Sequence, residues 1–243
     1  MKKILFICPR NPFSERYSGD VIRAKKTIYF LSKNHYVKVI SSDSKGSKKK
    51  YSKLSYEGFR ETNFFTKIFY IFFSFIKLKP IQLGYFFSPK IKEYVQNNFQ
   101  NYDLMFFQSF RTAQYMPENN KKKCILDMGD LMSRNYKQTS IRYFFFNPIR
   151  IIYYIESLLV KKYENFCFNK FTKILLLSKK EIDCVEKKYR SKLTQISFGI
   201  NNINKTYKFH QKNYKIIFIG NIKYAPNKKA CFEFANKILP LIN

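Results

Sequence analysis

Short all-apolar runs alternate along this chain with longer stretches in which apolar residues recur every three or four positions. Residues 4–8 form a continuous apolar run, the pattern of a strand buried on both faces of a parallel sheet. A loop rich in Pro, Asn, Ser and Gly follows over 9–19. Asp20 stands where a helix N-cap is expected, and Val21, Ala24, Ile28 and Leu31 then repeat at helical spacing. Asn34-His35 closes that helix, and 37–40 reads as a second strand. This is a βαβ unit, which implies parallel pairing and a right-handed crossover.

The alternation continues to the end of the chain. Residues 41–55 read as a basic loop rich in Ser and Gly, 62–79 as an aromatic amphipathic segment, and 89–99 as a helix. Strands are predicted over 103–107, 124–128, 174–177 and 193–197. A long helix follows Pro148, with Ile151, Ile155, Leu158, Leu159 and Phe166 on one stripe, and a further helix spans 179–189. A polar linker over 201–213 precedes a strand at 215–219 and a helix at 227–239. The expected fold class is α/β, a doubly wound Rossmann-like parallel sheet, with a first domain over 1–200 and an incomplete second Rossmann-like unit over 214–243. Roughly thirty residues are too few for a domain, so this second unit is expected to be truncated.

Charge changes the picture of partners. The sequence carries 46 Lys and Arg against 16 Asp and Glu, a formal charge of +30, which suits phosphate, nucleic acid or anionic lipid. Overuse of Lys, Asn, Ile, Phe and Tyr also fits AT-rich codon bias, which does not account for the scarcity of acids. Five cysteines with no C-x-x-C give a reduced, cytosolic pattern. His35 and His210 lie far apart, and no metal site is expected. The apolar run of residues 1–8 is too short for a signal peptide, and no run reaches the ~18 residues of a spanning helix. In the segment 64–79, Phe64, Phe65, Ile68, Phe69, Ile71, Phe72, Phe73, Phe75 and Ile76 crowd nearly all faces, with Lys67, Lys77 and Lys79 among them. Such a segment is either an interfacial helix dipping into an anionic leaflet or a buried core helix.

Four motifs sit where open α/β sheets bind ligands, at the carboxyl ends of strands. Ser18-Gly19-Asp20-Val-Ile-Arg23 joins the first strand to the first helix, with Gly19 permitting close backbone approach. It is not a dinucleotide fingerprint, and taken alone it is better explained by a turn at Gly19 and a helix cap at Asp20. Asp127 and Asp130 end a predicted strand, three residues apart, and one could act as a base or bind a sugar hydroxyl. The alternative is that Asp130 or Ser133 caps the next helix. In 218–227, Gly220 and Asn221 open a loop before a helix start, a geometry that suits phosphate. Ser197-Phe198-Gly199-Ile200-Asn201 is a hinge, a ligand-facing turn or an ordinary turn.

In this order the motifs resemble family 4 GT-B glycosyltransferases, and most closely the sugar transferases associated with exosortase/PEP-CTERM polysaccharide systems. Gly19-Asp20-Val-Ile-Arg23 matches that group's Gly-Asp-x-x-Arg, and Gly84-Tyr-Phe-Phe-Ser88 is a shortened form of its Gly-x-x-x-Tyr-Phe-x-Ser segment. Asp127, Asp130 and Ser133 match its Asp-x-x-Asp-x-x-Ser stretch. Tyr163-Glu164, and Ser178 with the following Lys179-Lys180-Glu181, match its next helix and strand end. Its Asn-Gly-Val-Asp turn keeps only the glycine, Gly199, while Phe218, Gly220, Tyr224, Pro226 and Asn227 fit its final motif.

The resemblance implies a glycosyltransferase using a nucleotide-sugar donor as co-substrate, without metal or cofactor. The acceptor would be a polysaccharide or a lipid-linked glycan in cell-surface glycan biosynthesis. It implies a catalytic role for Asp130 and substrate contacts for Gly19, Asp20, Arg23, Asp127, Ser133 and Ser178. Gly199, Gly220 and Asn221 would meet the donor diphosphate. The enzyme would be cytoplasmic, peripheral on the inner, anionic face of the cytoplasmic membrane. The Glu-rich donor motif of the family's C-terminal domain has no counterpart here, so a separate chain carrying that domain is a candidate partner. A non-catalytic truncated or split-enzyme half is the first rival. A basic nucleic-acid binder is the second, disfavoured because the cations are dispersed and no RRM, KH or helix-turn-helix signature occurs.

Overall fold

The computed structural model describes every residue except 16–17, 121–122, 145, 200–215, 223–224 and 243. The chain divides into two compact units, Met1–Gly199 and Ile200–Asn243. In the first unit the elements run β1 (Lys3–Cys8), α1 (Gly19–Asn34), β2 (Tyr36–Asp43), β3 (Lys48–Lys50), β4 (Leu54–Arg60), α2 (Phe64–Ile76), α3 (Ile81–Tyr85) and α4 (Pro89–Asn98). Then follow β5 (Leu104–Gln108), β6 (Lys123–Gly129), α5 (Met132–Ile141), α6 (Pro148–Lys170), β7 (Lys173–Leu176), α7 (Lys179–Asp183) and β8 (Leu193–Gln195).

The strands form one sheet in the order β3-β4-β2-β1-β5-β6-β7-β8. Every pairing is parallel except β3 with β4. The all-apolar strands explain this arrangement, because a parallel sheet is covered on both faces. Along β1, Leu5 and Ile7 join the core on one face with Met105, Phe107, Leu126 and Ile174. Ile4, Phe6 and Cys8 join the other with Ala24, Ile28, Val39 and Phe106. That is the period-two alternation of a strand between two helical layers. The strand order reverses at β1, between β2 and β5, so a crevice opens at their carboxyl ends.

Several predictions from local pattern are corrected. The 41–55 loop is instead the end of β2, the strand β3 and the start of β4, which pair at the sheet edge. The run Lys48-Lys49-Lys50 gives no apolar signal because all three residues are exposed there. The helix expected over 179–189 is only α7, followed by a 3₁₀ turn at Lys187–Lys192. The N-cap of α1 is Ser18, with Asp20 inside the first turn. Leu131 is the N-cap of α5, so neither Asp130 nor Ser133 caps it.

The largest correction concerns helix faces. The segment predicted as an interfacial or a core helix buries no residue of α2, which removes the core reading. In α6 the stripe of Ile151, Ile155, Leu158 and Phe166 is exposed. The buried face instead carries Glu156, Ser157, Val160, Tyr163, Glu164, Cys167 and Phe168. Polar groups occupy that face because each has a partner: Glu156 accepts from the backbone N–H groups of Ile81 (2.9 Å) and Gln82 (3.4 Å). Glu164 accepts from the N–H and hydroxyl of Ser133, at 3.0 and 2.6 Å.

In the second unit, α8 spans Ala225–Glu233 and runs into a π turn at Phe234–Ile238 and a 3₁₀ turn at Leu239–Leu241. Residues 216–219, expected as part of a strand, belong to no strand. The predicted linker 201–213 lies outside the described residues.

Candidate active site

The site is built where β1, β5 and β6 end. Arg23, one turn into α1, points its guanidinium at Asp127 on β6. Its Nε donates to Oδ2 at 2.6 Å and its Nη2 to Oδ1 at 2.9 Å. This fork-to-fork geometry is the strong form of an ion pair. Both side chains are buried, at 10% and 3% exposure. The remaining Nη1 donates to the carbonyl of Ile196 at 2.9 Å, and the ring of Phe198 lies 5.6 Å from the guanidinium carbon. Arg23 and Asp127, both expected as substrate contacts, are thus satisfied by each other and tie α1, β6 and the segment after β8 into one floor.

Asp130 is placed differently. The β6 register shifts between Asp127 and Gly129, and Gly129 adopts φ +74°, a conformation that only glycine takes without strain. This bulge swings Asp130 out of the strand line and into a cavity of about 290 Å³. Gly19, Asp20, Arg23, Gln108, Ser109, Arg111, Asp127, Asp130 and Phe198 line it. Asp130 is exposed, and among the described residues its carboxylate has no hydrogen-bond or ion-pair partner. Partial burial raises its pKa above the ordinary carboxylate value, with Arg23 pulling the other way. A carboxylate so placed is a better proton acceptor than a fully solvated one.

Three lining residues went unnoticed in the sequence. Gln108 donates from Nε2 to the carbonyl of Asp20 at 2.6 Å, fixing the start of α1. Ser109 holds φ +71°, a strained conformation for a non-glycine residue, and its N–H donates to the Asp127 carbonyl at 2.7 Å. Arg111 donates from Nε to the Gln82 side chain at 2.7 Å. The run Gln108-Ser109-Phe110-Arg111 directly after an all-apolar strand was the available signal.

A second cavity of about 410 Å³ adjoins the first. Arg10, Asn11, Ser42, Asp43, Glu61, Thr62, Lys67, Tyr85 and Phe86 line it. The wall between the two is the Arg10–Asp20 ion pair (3.2 Å) and the ring of Phe86, with the Arg10 and Arg111 guanidinium carbons 5.0 and 4.6 Å from its centroid. Burial pushes the Asp20 carboxyl up, but Ser18, Arg10 and the backbone of the first helical turn bring it below the ordinary value. The charges of the second cavity are largely neutralised in place. Lys67 pairs with Glu61 at 2.6 Å, and Asp43 accepts from the N–H of Ser47 at 3.1 Å.

Ser133 and Ser178 do not line the Asp130 cavity. Ser133 holds α5 to α6 through Glu164, and Ser178 caps α7 by accepting from the N–H of Glu181 at 3.3 Å. A Cβ on Gly19 would meet only the Phe198 ring at 3.6 Å, so close approach does not itself demand glycine there. The Gly199 carbonyl accepts from Lys26 Nζ at 2.8 Å. Gly220 and Asn221 belong to the second unit. A Cβ on Gly220 would come within 2.7 Å of the Phe218 ring, and the Asn221 carbonyl accepts from Asn227 Nδ2 at 3.1 Å. Among the described residues, no three His, Cys, Asp or Glu side chains converge as a metal-ligand set would.

This geometry frames the comparisons with known proteins. No protein-family model matches the chain, and no curated protein matches it by sequence. Among solved structures it is similar to a sucrose-phosphate synthase from Thermosynechococcus elongatus, with a TM-score of 0.54 and 10% identity. The match covers 83% of this chain and 49% of that one, so the chain spans about half the length of that neighbour. The fold is the Rossmann-like fold of GT-B glycosyltransferases. The likeness shows the architecture alone.

Proposed function

We propose that this chain is the acceptor-side part of a GT-B glycosyltransferase, family 4-like, that moves a sugar from a nucleotide-sugar donor to a polysaccharide or lipid-linked acceptor. The observation that carries the reading is Asp130. The Gly129 bulge delivers a carboxylate of raised pKa, free of protein partners among the described residues, to a crevice at the switch point of the sheet. Beneath it the Arg23–Asp127 pair is a fixed floor and does not compete for ligand. The second cavity supports the acceptor assignment. Hydroxyl and amide side chains, three aromatic residues and internally paired charges suit an uncharged, polyhydroxylated ligand better than a diphosphate.

Glycosyl transfer requires an acceptor hydroxyl aligned on the anomeric carbon and a path for its proton. Alignment by the paired cavities supplies the first, and can be worth several kcal/mol of barrier. In this proposal Asp130 accepts the proton of the acceptor hydroxyl as that oxygen bonds to the anomeric carbon, and the bond from that carbon to the donor's nucleoside diphosphate breaks, the diphosphate leaving with the electron pair. The donor-binding half completes the cleft, in the same polypeptide or in a separate chain. Work on the cytoplasmic side of an anionic membrane accords with the +30 charge and the exposed aromatic segment 64–79.

The test is a sugar-nucleotide turnover assay with a donor-binding half supplied in cis or in trans. Transfer to a glycan acceptor is expected, with Asp130→Asn lowering turnover by roughly 10²- to 10⁴-fold at unchanged fold. Wild-type turnover by that variant removes Asp130 from the mechanism.

A further inference from the structure

The most extensive feature that this mechanism leaves unused is apolar surface. On α2, Phe64, Phe65 and Phe69 are 71%, 81% and 61% exposed, and Phe72, Phe73 and Ile76 are exposed beside them. The helix is nevertheless held firmly. At Gly84 of α3 a Cβ would stand 2.3 Å from the Tyr70 carbonyl oxygen, so the two helices touch backbone to backbone. Tyr70 also meets Phe87 edge to face at 4.7 Å. A helix seated by one face with its opposite, aromatic face in water is built to be covered.

A second exposed apolar face lies on the neighbouring element. Ile141, Phe144 and Phe146 precede α6, and Ile149, Ile152 and Ile155 follow in its first half, all exposed. Glu156 joins this helix to the N-terminus of α3 through two backbone N–H groups. Ile76, the last residue of α2, is five residues from Ile81, the first of α3, a reach of at most about 18 Å. The stacked rings of Tyr136, Tyr153 and Tyr143 brace α5 against α6 behind this face.

Charge identifies the occupant. Residues 62–92 contain five Lys and no acid, with Lys67 engaged by the flanking Glu61, and residues 131–155 contain four Lys or Arg and no acid. The first acid after the second stretch is Glu156, which is buried and already engaged. A second copy of this chain would bring the same cations against themselves. An anionic bilayer offers both an apolar layer for the phenylalanines and negative headgroups for the rim. Lys77 already lies 4.1 Å from the centroid of the Phe73 ring, its charge at the helix end and its stem along the aromatic face. No described helix is long and apolar enough to cross a membrane, so the contact is made lying on the surface.

We propose that α2 and the first half of α6, with Phe144 and Phe146, form one two-armed surface that seats the protein on an anionic bilayer. This rests on the membrane reading above and extends it from one segment to two elements 70 or more residues apart. The test is co-sedimentation of the whole chain with vesicles of phosphatidylcholine alone and of phosphatidylcholine with phosphatidylglycerol. Two paired variants accompany it, Phe69→Ser with Phe72→Ser on α2 and Ile152→Ser with Ile155→Ser on α6. All these positions are exposed, and unchanged thermal melting confirms that the fold survives. Wild type should bind the anionic vesicles alone, and each pair should weaken binding about tenfold or more. Normal binding by the α6 pair with loss in the α2 pair overturns the two-armed surface and leaves the membrane reading standing. Failure of wild type to bind either vesicle sinks that reading as well. Self-association that the α6 pair abolishes, without vesicle binding, assigns the face to a second copy and overturns the proposal.

Discussion

The Arg23–Asp127 pair gives the most quantitative expectation. Both groups are buried, joined by two short hydrogen bonds, and Arg23 has a third bond to the Ile196 carbonyl. Arg23→Met removes the only cation paired with Asp127 among the described residues and leaves a carboxylate charged and buried at 3% exposure. Breaking such a pair from one side costs about 3–5 kcal/mol, because the surviving charge keeps its desolvation penalty without its partner. Asp127→Leu should cost a similar amount, somewhat less, since Arg23 keeps the Ile196 carbonyl and the Phe198 ring. The double variant removes both penalties and should lie within about 2 kcal/mol of wild type, so the coupling is large and of opposite sign to the singles. Urea unfolding followed by circular dichroism, across the four proteins of the cycle, reads this directly. Additive single effects, or singles costing under about 1 kcal/mol, would refute the view that these residues form the floor of the site. The stable double variant also separates fold from function: its cavity should keep its walls but lose the orientation of Phe198.

Three further outcomes follow from other contacts. Turnover in the complemented enzyme should fall as pH drops through a pKa above the ordinary aspartate value of 3.8, because Asp130 must be ionised to accept a proton; an acid limb unchanged in Asp130→Asn contradicts this. Gly84→Ala should destabilise by about 1–3 kcal/mol in a denaturant titration, since overpacking against the Tyr70 carbonyl outweighs the ~0.5–1 kcal/mol that alanine gains in a helix. Glu164→Ala should cost about 1–3 kcal/mol by leaving the Ser133 donors unpaired, whereas Glu164→Gln, which can still accept from the Ser133 N–H, should be nearly neutral at pH 7. Burial raises the Glu164 pKa against the pull of Ser133, so its contribution is fully present below the unfolded value near 4.5 and is lost as pH rises through the folded one. The stability of wild type relative to Glu164→Gln should therefore improve on acidification, and a pH-independent difference would contradict the assignment.

The sequence by itself determined six strands of the sheet, but not β3 and β4 at its edge. The short strands at Ile4, Val37, Leu104, Ile125, Ile174 and Leu193 all pair in parallel, and their spacing by helical segments places the crevice at the end of β1. Both depend on local periodicity, which a single chain displays. It also singled out Asp127 and Asp130, two acids three apart at a strand end, of which the structure pairs the first with Arg23 and turns the second into the cavity. What only the tertiary structure decided is which partner each polar group has. Arg23 and Asp127 are 104 residues apart, and nothing in either neighbourhood shows that they neutralise each other. Ser133 turns to Glu164 for the same reason. The faces of α2 and α6 were decided there too. Ile and Phe at helical spacing read as core, yet Glu156 and Glu164 lie inside because backbone N–H groups and a serine satisfy them, and the isoleucines are left facing solvent. Periodicity gives a helix its two faces, and long-range hydrogen bonding decides which one turns inward.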